Sequence, residues 1–436
     1  MSASEVRASV LHGARDLRVE QRPLPPPAAD EVQVAVQATG LCGSDLHYFS
    51  HYRNGDILVR EPLTLGHESA GIVTAVGSGV GGPGALSVGD RVALEVGLPC
   101  EACELCRQGR YNICRGMSFR SSAKAFPHAQ GTLQDRINHP ARWCHKLPSN
   151  VTLEQGALVE PLAVAFHARD RAALAPGAPG LVLGAGAVGL LCAFASKAAG
   201  ARAVVIADIQ ADRVQYAVDH GFADVPLTVP LPARRPETVD DKLAYARDLA
   251  ERVKASSVRD GGEPLGEVSV TFECTGVESC MQTAIYATQP GGKVMIIGMG
   301  TPVQTLPISA ASLREVDLVG VFRYANNYPE VINLLASKDE SLPDVGKLIT
   351  HRYKGLGSIP GAFDMAAKVQ DDKGNLVLKV LVDMSEENLA HSLPSSDHDT
   401  ICEPVASRHV EVEMTREVQV CNQGSEIIPL YATKPD

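Results

Sequence analysis

The chain has no run of lysine or arginine and no stretch of about 18 uninterrupted apolar residues. The first absence, with a net charge of −11, argues against nucleic acid or an anionic membrane surface as the main partner. The second excludes a membrane-spanning helix of ordinary length. The opening MSASEVRASV lacks the charged and apolar regions of a secretory signal, and the closing ATKPD carries no peroxisomal or ER-retention tail. The expected compartment is therefore the cytoplasm and the expected partner a small molecule. No internal repeat is visible.

What the chain does have is length and cysteine. Its 436 residues, at roughly 150 per domain, make two or three domains with sizeable cores. The 11 cysteines are then not needed as disulfide staples, and in a reducing compartment their spacing is read for metal instead. Over residues 1–162, short β-type runs such as EVQVAVQAT (31–39), SAGIVTAVG (69–77) and GDRVALEVG (89–97), broken by Gly and Pro, predict a β-barrel-like domain. Over 163–321 the rhythm becomes strand, helix, strand: LVLG, then AVGLLCAFASKAAGA (187–201), then AVVIAD (203–208), with VSVTFECTG (268–276) and KVMIIGMG (293–300) further on. That is the pattern of an α/β domain with a doubly wound parallel sheet. Residues 229–263 hold a charged helix with Pro- and Gly-rich ends and read as a surface elaboration. Residues 385–436 read as a polar, poorly ordered tail.

Gly184-Ala185-Gly186-Ala187-Val188-Gly189 follows a predicted strand and opens a predicted helix. The first glycine permits the tight turn, the second lets a pyrophosphate approach the backbone, and the third lets helix and strand pack closely. Asp208 closes the next strand, where a carboxylate accepts hydrogen bonds from a ribose and repels a 2′-phosphate, favouring NAD over NADP. A solvated strand-end carboxylate is the bland alternative. Arg213 is equally compatible with stacking on the adenosine end and with a solvated helix face.

Cys100, Cys103, Cys106 and Cys114 fall within fifteen residues, a spacing that closes a tetrahedral structural zinc site. The ferredoxin run begins similarly, but its Cys-Pro ending is missing. A closed site has no position for substrate, so its expected role is rigidity of the loop.

The motifs GLCGSDLHY (40–48), LGHESAGIV (65–73), VEPLAVAFHA (159–168), GAGAVG (184–189), FECTGVE (272–278) and REVDLVGVFRY (314–324), with the four-cysteine loop, together resemble the zinc-dependent medium-chain dehydrogenase family, and within it the sorbitol (L-iditol 2-) dehydrogenase type. The resemblance runs from about Val6 to about Val382. It implies a GroES-like catalytic domain (1–162 and 322–384) split around a Rossmann NAD-binding domain (163–321). By the same resemblance the catalytic zinc is held by Cys42 and His67 with Glu68 and Glu160, either glutamate acting directly or through a zinc-bound water. Glu160-Pro161 is the mark of the polyol branch, since the alcohol dehydrogenase branch has a second cysteine there. Ser44 and His47 match a proton relay, with a path through water and Glu160 as an equal alternative. Tyr48, Glu160, Arg323 and Tyr324 match polyol-binding positions, although Arg323 is also compatible with an interdomain salt bridge. Gly184, Gly186, Val188, Gly189, Asp208, Arg213, Ile297, Gly298, Met299, Val321, Phe322 and Arg323 match the NAD contacts. The implied reaction is oxidation of sorbitol or L-iditol, with xylitol as a second substrate, to the 2-ketose, by hydride transfer to NAD from a zinc-polarised alcohol. L-Arabinitol 4-dehydrogenases and dedicated xylitol dehydrogenases share every motif, and a non-catalytic NAD-binding or crystallin-like protein is the alternative of another class. The resemblance implies a homo-oligomer as well, a tetramer being common in this family.

Overall fold

The structure is a computed structural model and describes residues 4–232, 234–258 and 261–385. The expected tail, apart from Ser385, lies outside the described residues, as do Cys402 and Cys421. The chain enters through an antiparallel hairpin, β1 (Ser4–Gly13) and β2 (Asp16–Leu24). It then builds β3 (Glu31–Gly40), β4 (Glu68–Val76), β5 (Arg91–Leu94), β6 (Arg136–Pro140) and β7 (Cys144–Lys146). The six strands β8 (Pro179–Leu183), β9 (Ala203–Asp208), β10 (Val225–Thr228), β11 (Val268–Glu273), β12 (Thr288–Ile296) and β13 (Asp317–Gly320) follow. Last come β14 (Ile349–Lys354) and β15 (Lys379–Asp383).

The first sheet has the order β7-β5-β4-β3-β15-β14, with β6 also on β3. All but the first residue of β3 are buried, because Val32, Val34 and Val36 enter one apolar core while the polar residues between them find partners. Gln33 donates to Asn138 Oδ1 at 3.2 Å, and Thr39 Oγ1 lies 2.8 Å from Ser69 Oγ. Strand β15 pairs antiparallel with the end of β3, Leu381 opposite Gly40 and Val382 opposite Thr39. The last described strand is thus set beside the first functional motif.

The second sheet is parallel throughout, in the order β10-β9-β8-β11-β12-β13. The order reverses between β8 and β11, and the crevice at their carboxyl ends is where such sheets bind ligands. Segment 229–263 corrects the reading from sequence. Its helix Val239–Ala255 starts on a reciprocal cap between Thr238 and Asp241. It buries Ala246, Leu249, Ala250 and Val253, a stripe at helical spacing whose Ala250 and Val253 share a core with Met281, Ala284 and Ile285 of the helix Glu278–Ala287. It is the crossover that covers the sheet between β10 and β11, and only its outward face is the charged one that dominates the sequence. Among the described residues no helix is long and apolar enough to cross a membrane.

Candidate active site

Strand β3 ends on Gly40, directly opposite Glu68 at the start of β4. A Cβ at Gly40 would stand 2.3 Å from Glu68 Oε2, so glycine there leaves the carboxylate its room. Two residues on, Cys42 occupies the N-cap of the helix α1 (Gly43–His51). Gly66, at φ 92°, turns the chain into His67. One ligand atom each from Cys42, His67 and Glu68 lie within 4.8 Å of one another. Sulfur, nitrogen and oxygen donors in a set of three, short of a closed tetrahedron by one position, suit a catalytic zinc.

Two buried groups brace this cluster, and sequence reasoning assigned neither. Asp45 Oδ1 accepts from the Gly66 N–H at 3.2 Å and from Ser121 Oγ at 2.5 Å, and lies 3.2 Å from His67 Nδ1. With Nδ1 engaged, Nε2 is the nitrogen left for a metal. Burial works against charge on both partners, yet each one's opposite charge outweighs it: the Asp45 carboxyl lies below its ordinary value and the His67 imidazole well above. Lys379, on β15, donates to both carboxylate oxygens of Glu68 at 2.7 Å and to the Leu41 carbonyl at 3.2 Å. Asp45 does carry a signal, three residues after Cys42 inside the 40–48 motif; Lys379 carries none.

Of the four expected ligands, Glu160 stands apart. It lies in the first turn of the helix α2 (Val159–Ala172) and is not among the three gathered groups. It is buried, and burial, with Glu68 nearby, pushes its carboxyl up to about 7 against the opposing charges of His67, Lys379 and Arg323. On α1, Ser44 is half-buried and His47 exposed, and no hydrogen bond joins them among the described residues. Burial, with His51 close by, lowers the His47 pKa. Tyr48 is buried and its hydroxyl accepts the Ala123 N–H at 3.2 Å.

Arg323 sits at φ 54°, with its guanidinium 3.5 Å from the centre of the Phe119 ring and 4.7 Å from that of Phe322. Burial lowers its pKa to about 10. Tyr324 is only 3% exposed. It sits in the core, its ring 5.3 Å from Tyr328, and its buried hydroxyl has no hydrogen-bond partner among the described residues.

The four-cysteine loop is drawn together as its spacing requires. Cys100 and Cys114 sulfurs are 3.4 Å apart, Cys103 and Cys106 3.5 Å, and Cys103 and Cys114 3.8 Å. A tetrahedral zinc with Zn–S near 2.3 Å would hold its sulfurs roughly 3.8 Å apart, so the set fits that ion. The Ala102 N–H, first among several donors, brings the Cys100 thiol down to about 6.

At the crevice, Gly184 (φ 99°) turns the chain out of β8. A Cβ on Gly189 would meet the Gly184 carbonyl oxygen at 1.8 Å, whereas one on Gly186 would meet only Arg213 Nη1, at 4.0 Å. The close packing and the open approach thus fall on the glycines the motif assigns them to. Gly186 caps the helix Ala187–Ala198 without a side-chain cap, which leaves its first N–H groups to face an anion. Asp208 is held in place at the end of β9, accepting from the Ala185 N–H at 2.7 Å and the Gln210 N–H at 2.9 Å. Arg213 donates to the Val377 carbonyl at 3.3 Å. Gly298 packs on the Thr275–Gly276 backbone beside half-buried Ile297, while Met299 and Phe322 are exposed apolar groups; Val188 and Val321 are half-buried.

Two family models match the chain: an alcohol dehydrogenase GroES-like domain over residues 28–149 and a zinc-binding dehydrogenase over 187–337. Sorbitol dehydrogenase of Gallus gallus is 41% identical over 346 residues, covering 79% of this chain and 89% of that protein. L-Idonate 5-dehydrogenase of Vitis vinifera is 38% identical over 382 residues, covering 87% and 95%. Among solved structures, an Escherichia coli oxidoreductase/dehydrogenase of unknown specificity aligns with a TM-score of 0.73 at 31% identity, over 88% of this chain and all of that one.

Proposed function

The chain belongs to the zinc-binding, GroES-like alcohol dehydrogenase family of medium-chain dehydrogenases, and from that premise we propose that it oxidises a polyol of the sorbitol and L-iditol type to the 2-ketose with NAD. The observation that carries the reading is the Cys42, His67 and Glu68 cluster with the buried carboxylate of Glu160 beside it: a metal set with one position left for an alcohol, and a group close by to take its proton. Bound zinc would supply polarisation of the substrate hydroxyl, and bound NAD a hydride acceptor.

The chain's own residues do the rest. Cys42, His67 and Glu68 hold the metal, with Asp45 orienting His67 and Lys379 sharing the charge of Glu68. Glu160 takes the alcohol proton through water, with Ser44 and His47 as the path to solvent. Arg323 and Tyr48 face the remaining hydroxyls, whose pairing rejects alcohols that lack them. Gly184, Gly186 and Gly189 make room for the pyrophosphate, and Asp208 receives the adenosine ribose, favouring NAD. The catalytic domain is divided over 1–162 and 322–384 around a cofactor domain at 163–321, in a cytoplasmic tetramer. The partly desolvated cation of Arg323, with the likeness to an L-idonate dehydrogenase, supports a polyol acid as a second substrate. Steady-state kinetics on sorbitol, xylitol, L-arabinitol and L-idonate, with NAD and NADP side by side, test the proposal. The highest kcat/KM should fall on sorbitol with NAD; turnover confined to simple alcohols, or no turnover at all, would refute it.

A further inference from the structure

The segment Phe322–Asn327 belongs to no helix or strand, yet it holds two non-glycine residues in the left-handed region, Arg323 at φ 54° and Asn326 at φ 68°. An arginine stays there only where its surroundings impose it. The surroundings that do so come from the four-cysteine loop. Asn112 Nδ2 donates to the Phe322 carbonyl at 2.7 Å. The Tyr111 hydroxyl accepts the Asn326 N–H at 2.7 Å and donates in turn to buried Glu95 at 2.6 Å. Asn326 Nδ2 donates to the Gly109 carbonyl at 2.9 Å. Gly109, Tyr111 and Asn112 all lie between Cys106 and Cys114, and the turn Tyr111–Ile113 is closed by the Cys114 N–H on the Tyr111 carbonyl at 3.0 Å.

At the other end, Arg323 covers the Phe119 ring, which stands edge-on to His67 with centroids 5.5 Å apart. One aromatic ring thus separates the guanidinium from a residue of the catalytic cluster. We propose that Tyr111 and Asn112 are positioning residues: with its thiolates joined by metal, the four-cysteine loop splints Phe322–Asn326 and keeps the Arg323 guanidinium aimed at the substrate's remote hydroxyls. What Arg323 touches rests on the polyol reading above; the splint itself does not. The loop's closed metal site then acts on substrate selection without touching substrate.

Asn112→Asp keeps the side chain's size and removes the N–H given to Phe322. Asn326→Asp removes the one given to Gly109 from an exposed position, where the fold tolerates it. In the zinc-loaded full chain at saturating NAD, each variant should lower kcat/KM for sorbitol roughly 10- to 100-fold through KM. 2-Butanol, with no remote hydroxyl, should change less than about twofold. Emission of Trp143, the only tryptophan of the chain, should shift too, since its ring lies 5.0 Å from that of Tyr111 and packs with Ala325. Equal losses on both alcohols, or an undiminished sorbitol rate in a folded variant, would overturn the proposal. If the unaltered enzyme oxidises 2-butanol but no polyol, the polyol reading fails by itself. Trp143 then decides the splint: an emission unchanged in both variants overturns it, and a shift in both supports it.

Discussion

Asp45 accepts from the Cys42 N–H through Oδ2 and meets Gly66, Ser121 and His67 through Oδ1, and so couples the order of a loop to the donor atom a metal meets. Asp45→Asn preserves the volume but replaces a charge with an amide, and should weaken zinc binding about 10- to 100-fold, measured by competition with a chromophoric chelator; an unchanged affinity would remove Asp45 from the account. Because His67 holds its proton well above the ordinary imidazole range, a metal must displace that proton, and zinc affinity falls as pH is lowered. In the variant that fall should begin at lower pH. Glu160 acts in the same direction through a different step. Burial raises its carboxyl to about 7, so it is a competent base only above that value, and polyol oxidation should lose rate as pH drops below about 7. Glu160→Gln should abolish that acid limb along with most of the rate; a pH profile of unchanged shape would place the base elsewhere. Cys42, His67 and Glu68 were legible in the sequence because each sits in a short motif. Lys379 was not, since it meets Glu68 across 311 positions and only the strand pairing of β15 with β3 brings them together.

At the scale of elements, the glycine turn is where local sequence and tertiary structure agree most closely. The contact a side chain at Gly189 would make with Gly184, 1.8 Å, is a consequence of helix meeting strand at the spacing the motif sets. The helix Val239–Ala255 shows the reverse. Its buried stripe at 246, 249, 250 and 253 is small-sided and interrupted by charge, so composition spoke for the solvent face while packing was decided by the other. For the four-cysteine loop, Cys103→Ser should lower the melting temperature by about 5 °C or more, while kcat on a simple secondary alcohol stays near that of the unaltered enzyme. Scanning calorimetry beside initial rates would show this, and a lost kcat with an unmoved transition would mean that the loop takes part in the chemistry.

For the whole molecule, the rhythm of strand runs, then strand-helix alternation, was enough to anticipate a barrel-like part and a doubly wound sheet, because both follow from local periodicity. The return of the chain to its first sheet was not in that rhythm; it entered only through resemblance, since strand pairing at long range leaves no periodic trace. That return sets Lys379 against the catalytic cluster, and the Phe322–Asn327 segment before it lies against the cysteine loop, so the site draws on residues 42 to 379. If this site is a zinc-dependent oxidation centre for polyols, polyol-dependent NADH formation should disappear as the zinc is stripped by a strong chelator and return when the metal is restored; undiminished turnover in metal-free protein would mean that zinc does no chemistry here.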